Sequence, residues 1–242
     1  MQFAWSCFLY GGIGGDQDYQ HIMKNTALLQ QLRQAPQSIS NRDFQDKVIS
    51  RFLNKWKCRT PNNPRAASII KNQLIQLHPY VQAISKLTIR DSFASSVTVP
   101  SHGQQTLGQI IDHSYSTLKG CTNRFGPTAT SKLLHVLLPE VFVMWDGPII
   151  DNYRKIDKTI SESSRGYHCF HERMRNLILN VDQSFASSQS NPIASAGQSF
   201  DNYLSTQLKY TPAKPAAKFV DEFNWITITK NVSVPPNWHP EK

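Results

Sequence analysis

A mainly α-helical fold follows from three observations. Apolar residues recur at three- and four-residue spacing along most of the 242-residue chain, Pro and Gly fall near the ends of several such runs, and only short passages lose the helical period. We expect a multi-helix protein, folded as one helical globular unit over 1–242 or as two helical lobes around a cleft.

The elements follow in order. Ile22, Ala27, Leu28, Leu29 and Leu32 form one amphipathic stripe, and "SISNRDFQDKVISRFLNKWK" forms a second behind Ser/Asn caps. In "TPNNPRAASIIKNQLIQLHPYVQAISKL", Ile69, Ile70, Leu74 and Leu77 mark a third helix, which Pro79 is expected to end or kink, with a further helix starting near it. "TIRDSFASSVTVPSHGQQ" reads as a loop, extended at "SSVTVP". Leu107, Ile110, Ile111, Tyr115 and Leu118 share one face of the next helix, with Gly120 as its stop. "PTATSKLLHVLL" and "PIIDNYRKI" follow, with Pro127 and Pro148 at first-turn sites. "YHCFHERMRNLILNVDQSF" is helical, residues 186–199 read as an internal loop, "SFDNYLSTQLKY" and "PAAKFVDEFNWITI" close the fold, and 232–242 reads as a tail.

Composition narrows the function classes. No apolar run approaches the roughly 20 residues a bilayer span needs, so no membrane association is expected. The N-terminus lacks the charged region of a signal peptide, which points to a cytoplasmic, nucleoid-associated or nuclear protein that is not secreted. Cys7, Cys58, Cys121 and Cys169 lie far apart and read as reduced thiols. Twenty-six Lys and Arg against 17 Asp and Glu leave a net charge of +9, a balance that favours a polyanionic partner.

Chemistry concentrates in "NRFGPTATSKLLHVLLPEVFVMWD". Gly126 permits the positive φ or close approach of a hairpin, and Pro127 presets the first helical turn. The free N–H groups of that turn, the hydroxyls of Thr128, Thr130 and Ser131, Arg124 just before and Lys132 just after together suit a phosphate. Ala129, Leu133, Val136 and Leu137 equally make an ordinary core face. The passage ends on Asp146 beside Trp145, ahead of a Pro-started helix, where a carboxylate serves as an N-cap at the least.

This arrangement resembles the helix-hairpin-helix DNA glycosylase superfamily over residues 106–153. Phe125-Gly126 is similar to the Val-Gly of the family's hairpin, "PTATSKLLHVLL" to its second helix, and "PEVFVMWD" to the loop that carries the catalytic aspartate. The resemblance implies a DNA N-glycosylase, a hydrolase of base excision repair that acts as a monomer on double-stranded DNA without metal or cofactor. Asp146 would be its catalytic residue. Arg124, Phe125, Gly126, Thr128, Thr130 and Lys132 would contact nucleic acid, and Trp145 and Phe142 would wall the base pocket. The chain departs from the pattern in having Arg124 for the first hairpin glycine, Thr128 where bifunctional members carry their Schiff-base lysine, and Gly147-Pro148 after the aspartate. Thr128 implies base removal without strand scission. The alternative is a non-catalytic nucleic-acid-binding protein with a regulatory or defence role.

Three other motifs carry less. "GGIGG" lacks the third glycine and βαβ setting of a dinucleotide site, and His168, Cys169 and His171 lack a partner motif for a metal. "DEFNW", Asp221 to Trp225, either lines the same cleft with its carboxylates or docks Phe223 and Trp225 into the core.

Overall fold

The computed structural model describes residues 6, 9–10, 15–187, 199–210 and 213–233, and the chain is mainly helical. In order come α1 (Gly15–Lys24), α2 (Thr26–Gln34), a 3-10 turn (Pro36–Ser38), and α3, which starts as Asn41–Asp43 and continues in π geometry over Phe44–Asn54. Next are α4 (Pro64–Ala83), a hairpin of β1 (Ser96–Val99) and β2 (Gly103–Thr106), α5 (Leu107–Leu118), α6 (Pro127–Leu137), α7 (Gly147–Ile156) and α8 (Ser164–Ser187). The last are α9 (Phe200–Gln207) and α10 (Ala216–Asn224), which runs on as a π turn over Trp225–Thr229. Among the described residues no helix is long and apolar enough to cross a membrane.

Three local expectations are corrected. The stripe from Ile22 to Leu32 spans two helices, because the Asn25 side chain accepts from the Leu28 N–H and restarts the chain as α2. Pro79 neither ends α4 nor starts a new helix: it lies inside Pro64–Ala83, near the C-terminal end, where buried Tyr80 and Val81 dock the last turn on the core. The extended "SSVTVP" passage belongs to a β-hairpin, with Ser96 paired to Thr106 and Val99 to Gly103. Ser40 caps α3 as expected, through its hydroxyl and the Asp43 N–H at 3.0 Å. Most of the expected loop at 186–199 and of the tail at 232–242, like "GGIG", lies outside the described residues; Ala186 and Ser187 still belong to α8.

Helix α5 is the central strut. It packs on α4, α6 and α8, and its buried face includes Leu107, Ile110, Ile111, Tyr115 and Leu118. Gly108 allows the approach to α8, since a Cβ there would collide with the His168 ring. A capping box at Thr106 and Gln109 starts the helix, and Gly120, at φ 75°, follows its last turn. Arg90 binds Asp182 at 2.7 Å and Asp201 at 2.8 Å, fastening α8 and α9 to the loop before β1.

Candidate nucleic-acid cleft

The hairpin that joins α5 to α6 closes through Gly120 N–H to Phe125 O at 2.8 Å and Phe125 N–H to Thr122 O at 3.1 Å. Its left-handed residues are Gly120, at φ 75°, and Arg124, at φ 65°, while Gly126 sits at φ −87° in extended geometry. The expectation that Gly126 supplies a positive φ or a close approach is therefore corrected: Arg124 takes the left-handed conformation despite its Cβ, a Cβ on Gly126 would meet nothing within 4 Å, and Gly126 serves as the N-cap of α6. The N-cap residue supplies no side-chain acceptor and Pro127 occupies the first turn, so among the described residues no cap side chain offsets the positive end of this helix dipole.

Leu138, Pro139 and the run from Val141 to Trp145 are buried although not helical, so their backbone must find partners among side chains. His135 Nδ1–H donates to Phe142 O at 2.6 Å, Val143 N–H donates to His171 Nε2 at 3.2 Å, and Tyr167 Oη–H donates to Val143 O at 2.8 Å. Ser131 Oγ accepts from Trp145 N–H and lies 3.2 Å from Trp145 O. Burial pushes His135 down to about 4 and His171 down to about 3, keeping both neutral in these roles. His168 instead meets Asp112 at 3.0 Å and Glu172 at 3.4 Å. Helices α6 and α8 thus clamp the loop and deliver Asp146 to the start of α7.

Asp146 caps α7 through the Ile149 N–H at 3.1 Å and accepts from the Thr229 hydroxyl at 3.0 Å and 3.1 Å. Burial raises its pKa, the two hydrogen bonds counter that rise, Asp221 adds to it and Lys132 opposes it; the net shift is upward. Ionising Asp146 therefore weakens the fold. That cost is absent below the unfolded-state pKa and complete once pH exceeds the folded one. Thr229→Val deletes a hydrogen bond that favours the carboxylate, so the Asp146 titration, followed by carboxylate 13C NMR, should move to higher pH. An unchanged midpoint would show that the hydroxyl does not stabilise the charge.

Asp146 opens on a cleft of about 470 Å³, within the range of small-ligand sites. Thr128 and Lys132 of α6 line it beside Asp146, Trp145 and Met144. The remaining wall comes from Lys55, Trp56 and Lys57 after α3, Asp221 of α10, Trp225, Thr229 and Lys230 of the π turn, and Tyr10. Two π-helical segments thus lead into one cleft, a geometry often found at functional sites. The Asn54 side chain pins the turn after α3, accepting from Thr60 N–H at 2.7 Å and donating to Thr60 O at 2.9 Å. Lys132 Nζ donates to Trp56 O at 2.9 Å, and Lys230 Nζ lies 4.7 Å from the Trp225 ring centre. A second hollow of about 450 Å³, at Tyr19, Arg33 and Glu140, contains no residue of the hairpin or of the Asp146 cap.

The cleft therefore unites Asp146, Thr128, Lys132 and Trp145. Phe142 is a correction: it is fully buried, packs against His171, and is absent from the cleft wall. Thr130 is also fully buried, so its hydroxyl cannot reach a phosphate, and the Phe125 ring lies in the core. Trp145 is 1% exposed and packs against Tyr115, Tyr167 and Phe170, so it contributes only an edge to the cleft floor, whereas Trp56 and Trp225 are half-buried. Arg124 is exposed at the hairpin and is not part of the cleft wall. Of the two readings of "DEFNW", Asp221 and Trp225 line the cleft while Phe223 packs against the core.

Lys55, Trp56, Lys57, Thr229, Lys230 and Tyr10 were not singled out from the sequence as cleft residues. The basic–aromatic interleaving of "NKWKCR" is the one local signal that marked three of them. No protein-family model, curated protein or solved structure matches this chain.

Proposed function

We propose that this protein is a DNA N-glycosylase that removes an altered or mismatched base from duplex DNA, acting as a monomer in the cytoplasm, on the nucleoid or in the nucleus. One observation carries the reading: a carboxylate, Asp146, is held at a helix start in the wall of a cleft ringed by Lys55, Lys57, Lys132 and Lys230 and by the aromatic rings of Trp56 and Trp225.

Each part has a use in that reaction. Cleaving an N-glycosidic bond builds positive charge on the deoxyribose, which a fixed carboxylate stabilises while it orients the attacking water. The base must first leave the stack, at a cost of a few kcal/mol, and aromatic walls receive it. Lysines around the cleft and the uncapped start of α6 attract the phosphate backbone. Thr128 stands where the resemblance would put a lysine nucleophile, and Lys132 Nζ is engaged with Trp56 O, which together support base removal without strand scission.

The test is base release from duplexes carrying uracil, oxidised purines, alkylated purines or modified pyrimidines. At least one should yield free base and an intact abasic strand. Strand scission with borohydride trapping at Lys132 would make the enzyme bifunctional, and silence across the whole panel, with DNA still bound, would leave a non-catalytic binding module. That second reading draws on the satisfied capping role of Asp146. Either way, Lys55→Ala with Lys57→Ala should weaken binding uniformly across sequences and flatten the plot of log K against log salt by about 2, roughly one unit per lost phosphate contact. An unchanged slope would remove these lysines from the interface.

A further inference from the structure

Asp221 is a second carboxylate in the cleft, and the proposed reaction leaves it without a task. It sits on α10, seven-hundredths exposed overall, with its side chain 10% exposed and lining the cleft wall. Its Oδ2 is held 2.8 Å from the Nζ of Lys218, a lysine with no solvent exposure. Lys218 is fixed in turn, lying 3.3 Å from Tyr10 Oη, 3.6 Å from Glu222 Oε1, and 4.4 Å and 4.7 Å from the ring centres of Tyr10 and Tyr19. Lys214 meets Glu222 at 2.7 Å and completes the cluster.

A buried charge pair is costly, and nothing about helix packing requires one oxygen-bearing group of the pair to line a cleft. An ionised carboxylate accepts hydrogen bonds and donates none, so it discriminates between ring edges by their donors. Oδ2 is occupied by the Lys218 ammonium, and Asp221 lines the same cleft as Tyr10, Trp56 and Trp225, so its second oxygen is the acceptor left for a ligand there. Rings of that kind take a planar heterocycle, and a carboxylate among them selects an amino group.

We propose that Asp221 reads the base: its carboxylate accepts a hydrogen bond from the exocyclic amino group of a nucleobase, so that the cleft prefers adenine-, guanine- or cytosine-derived bases to their carbonyl-bearing counterparts. The inference rests on the cleft receiving a base, as in the reading above, and names the class of base received. Lys218 is a positioning residue, which holds Asp221 Oδ2 at 2.8 Å.

The experiment uses free bases in two matched pairs, adenine with hypoxanthine and cytosine with uracil, titrated against the quenching of tryptophan fluorescence, because Trp56 and Trp225 line the cleft. The parent chain should bind the amino member of each pair at least about tenfold more tightly, as expected where a buried polar group is otherwise left unpaired. Asp221→Asn, which can offer an N–H to a carbonyl, should level or invert that ratio. Lys218→Met with Asp221→Asn removes the charge pair together and serves as the folded control, with urea unfolding reported for each variant. Equal binding within both pairs, or a preference that survives Asp221→Asn, overturns the inference. Amino-selective binding without base release from any duplex upholds it and overturns the glycosylase reading; base release without amino selectivity does the reverse.

Discussion

Asp146→Asn is expected to abolish base release, lowering kcat by on the order of 10²–10³-fold, the loss usually seen when one group that stabilises developing charge is removed. Folding and DNA binding should survive. Asn caps helices about as well as Asp, and its Oδ1 can still accept from the Ile149 N–H and the Thr229 hydroxyl, both at 3.1 Å in the parent, so the stability change should stay below about 1 kcal/mol. On the proposed function, DNA affinity should hold or rise, because one negative charge leaves a cleft lined by Lys55, Lys57, Lys132 and Lys230. Asp146→Ala gives the complementary result: it loses the cap as well, at a cost of about 1 kcal/mol. Single-turnover release of base, measured beside a salt-matched binding assay, separates the two roles. Excision that persists in the Asn variant would reduce Asp146 to a cap and end the glycosylase assignment.

Lys218→Met should be the most destabilising single change in the cleft region, costing about 3–5 kcal/mol, the penalty for stranding one member of a buried ion pair. That is a large part of the roughly 5–15 kcal/mol that holds a typical domain together. Burial disfavours the Lys218 ammonium, but Asp221, Tyr10 and Glu222 more than offset this, so its pKa is raised and the group stays charged. Its removal leaves Asp221 without the 2.8 Å partner, while Glu222 keeps Lys214 at 2.7 Å. The double variant Lys218→Met with Asp221→Asn should recover much of the loss, and a double-mutant cycle in urea would give the coupling. If Lys218→Met falls within 1 kcal/mol of the parent, the pair is not what secures α10 against Tyr10 and Tyr19.

The helices were legible because each rests on local chemistry. Ser40, Asn63 and Thr106 cap helices with their own side chains, Pro127 and Pro148 sit in first turns, and the apolar stripes of α5 and α6 are the buried faces. Local errors arose where a long-range contact overrode a propensity. Pro79 stays inside α4 because Tyr80 and Val81 are buried beyond it, and Arg124 adopts a positive φ within a turn closed by Gly120 and Phe125.

The cleft was half visible. Asp146, Thr128, Lys132 and Trp145 lie within 19 residues of one another, so a single motif carries them. Phe142 and Thr130 belong to the same motif, yet they face the core, since rotation about the helix and the loop clamp of His135, His171 and Tyr167 settle which side chains turn inward.

The sequence by itself determined a basic, mainly helical chain with a hairpin opening onto a capped aspartate, because charge, periodicity and capping are written in neighbouring residues. Only the tertiary structure decided the rest of the cleft: that Trp56 and its flanking lysines come from the end of α3, that Thr229 crosses to Asp146, and that Asp221 is held beside them by Lys218. Trp56, Asp146 and the segment that carries Asp221 and Thr229 are separated by tens of residues, and their meeting depends on how whole helices pack, which no local pattern encodes.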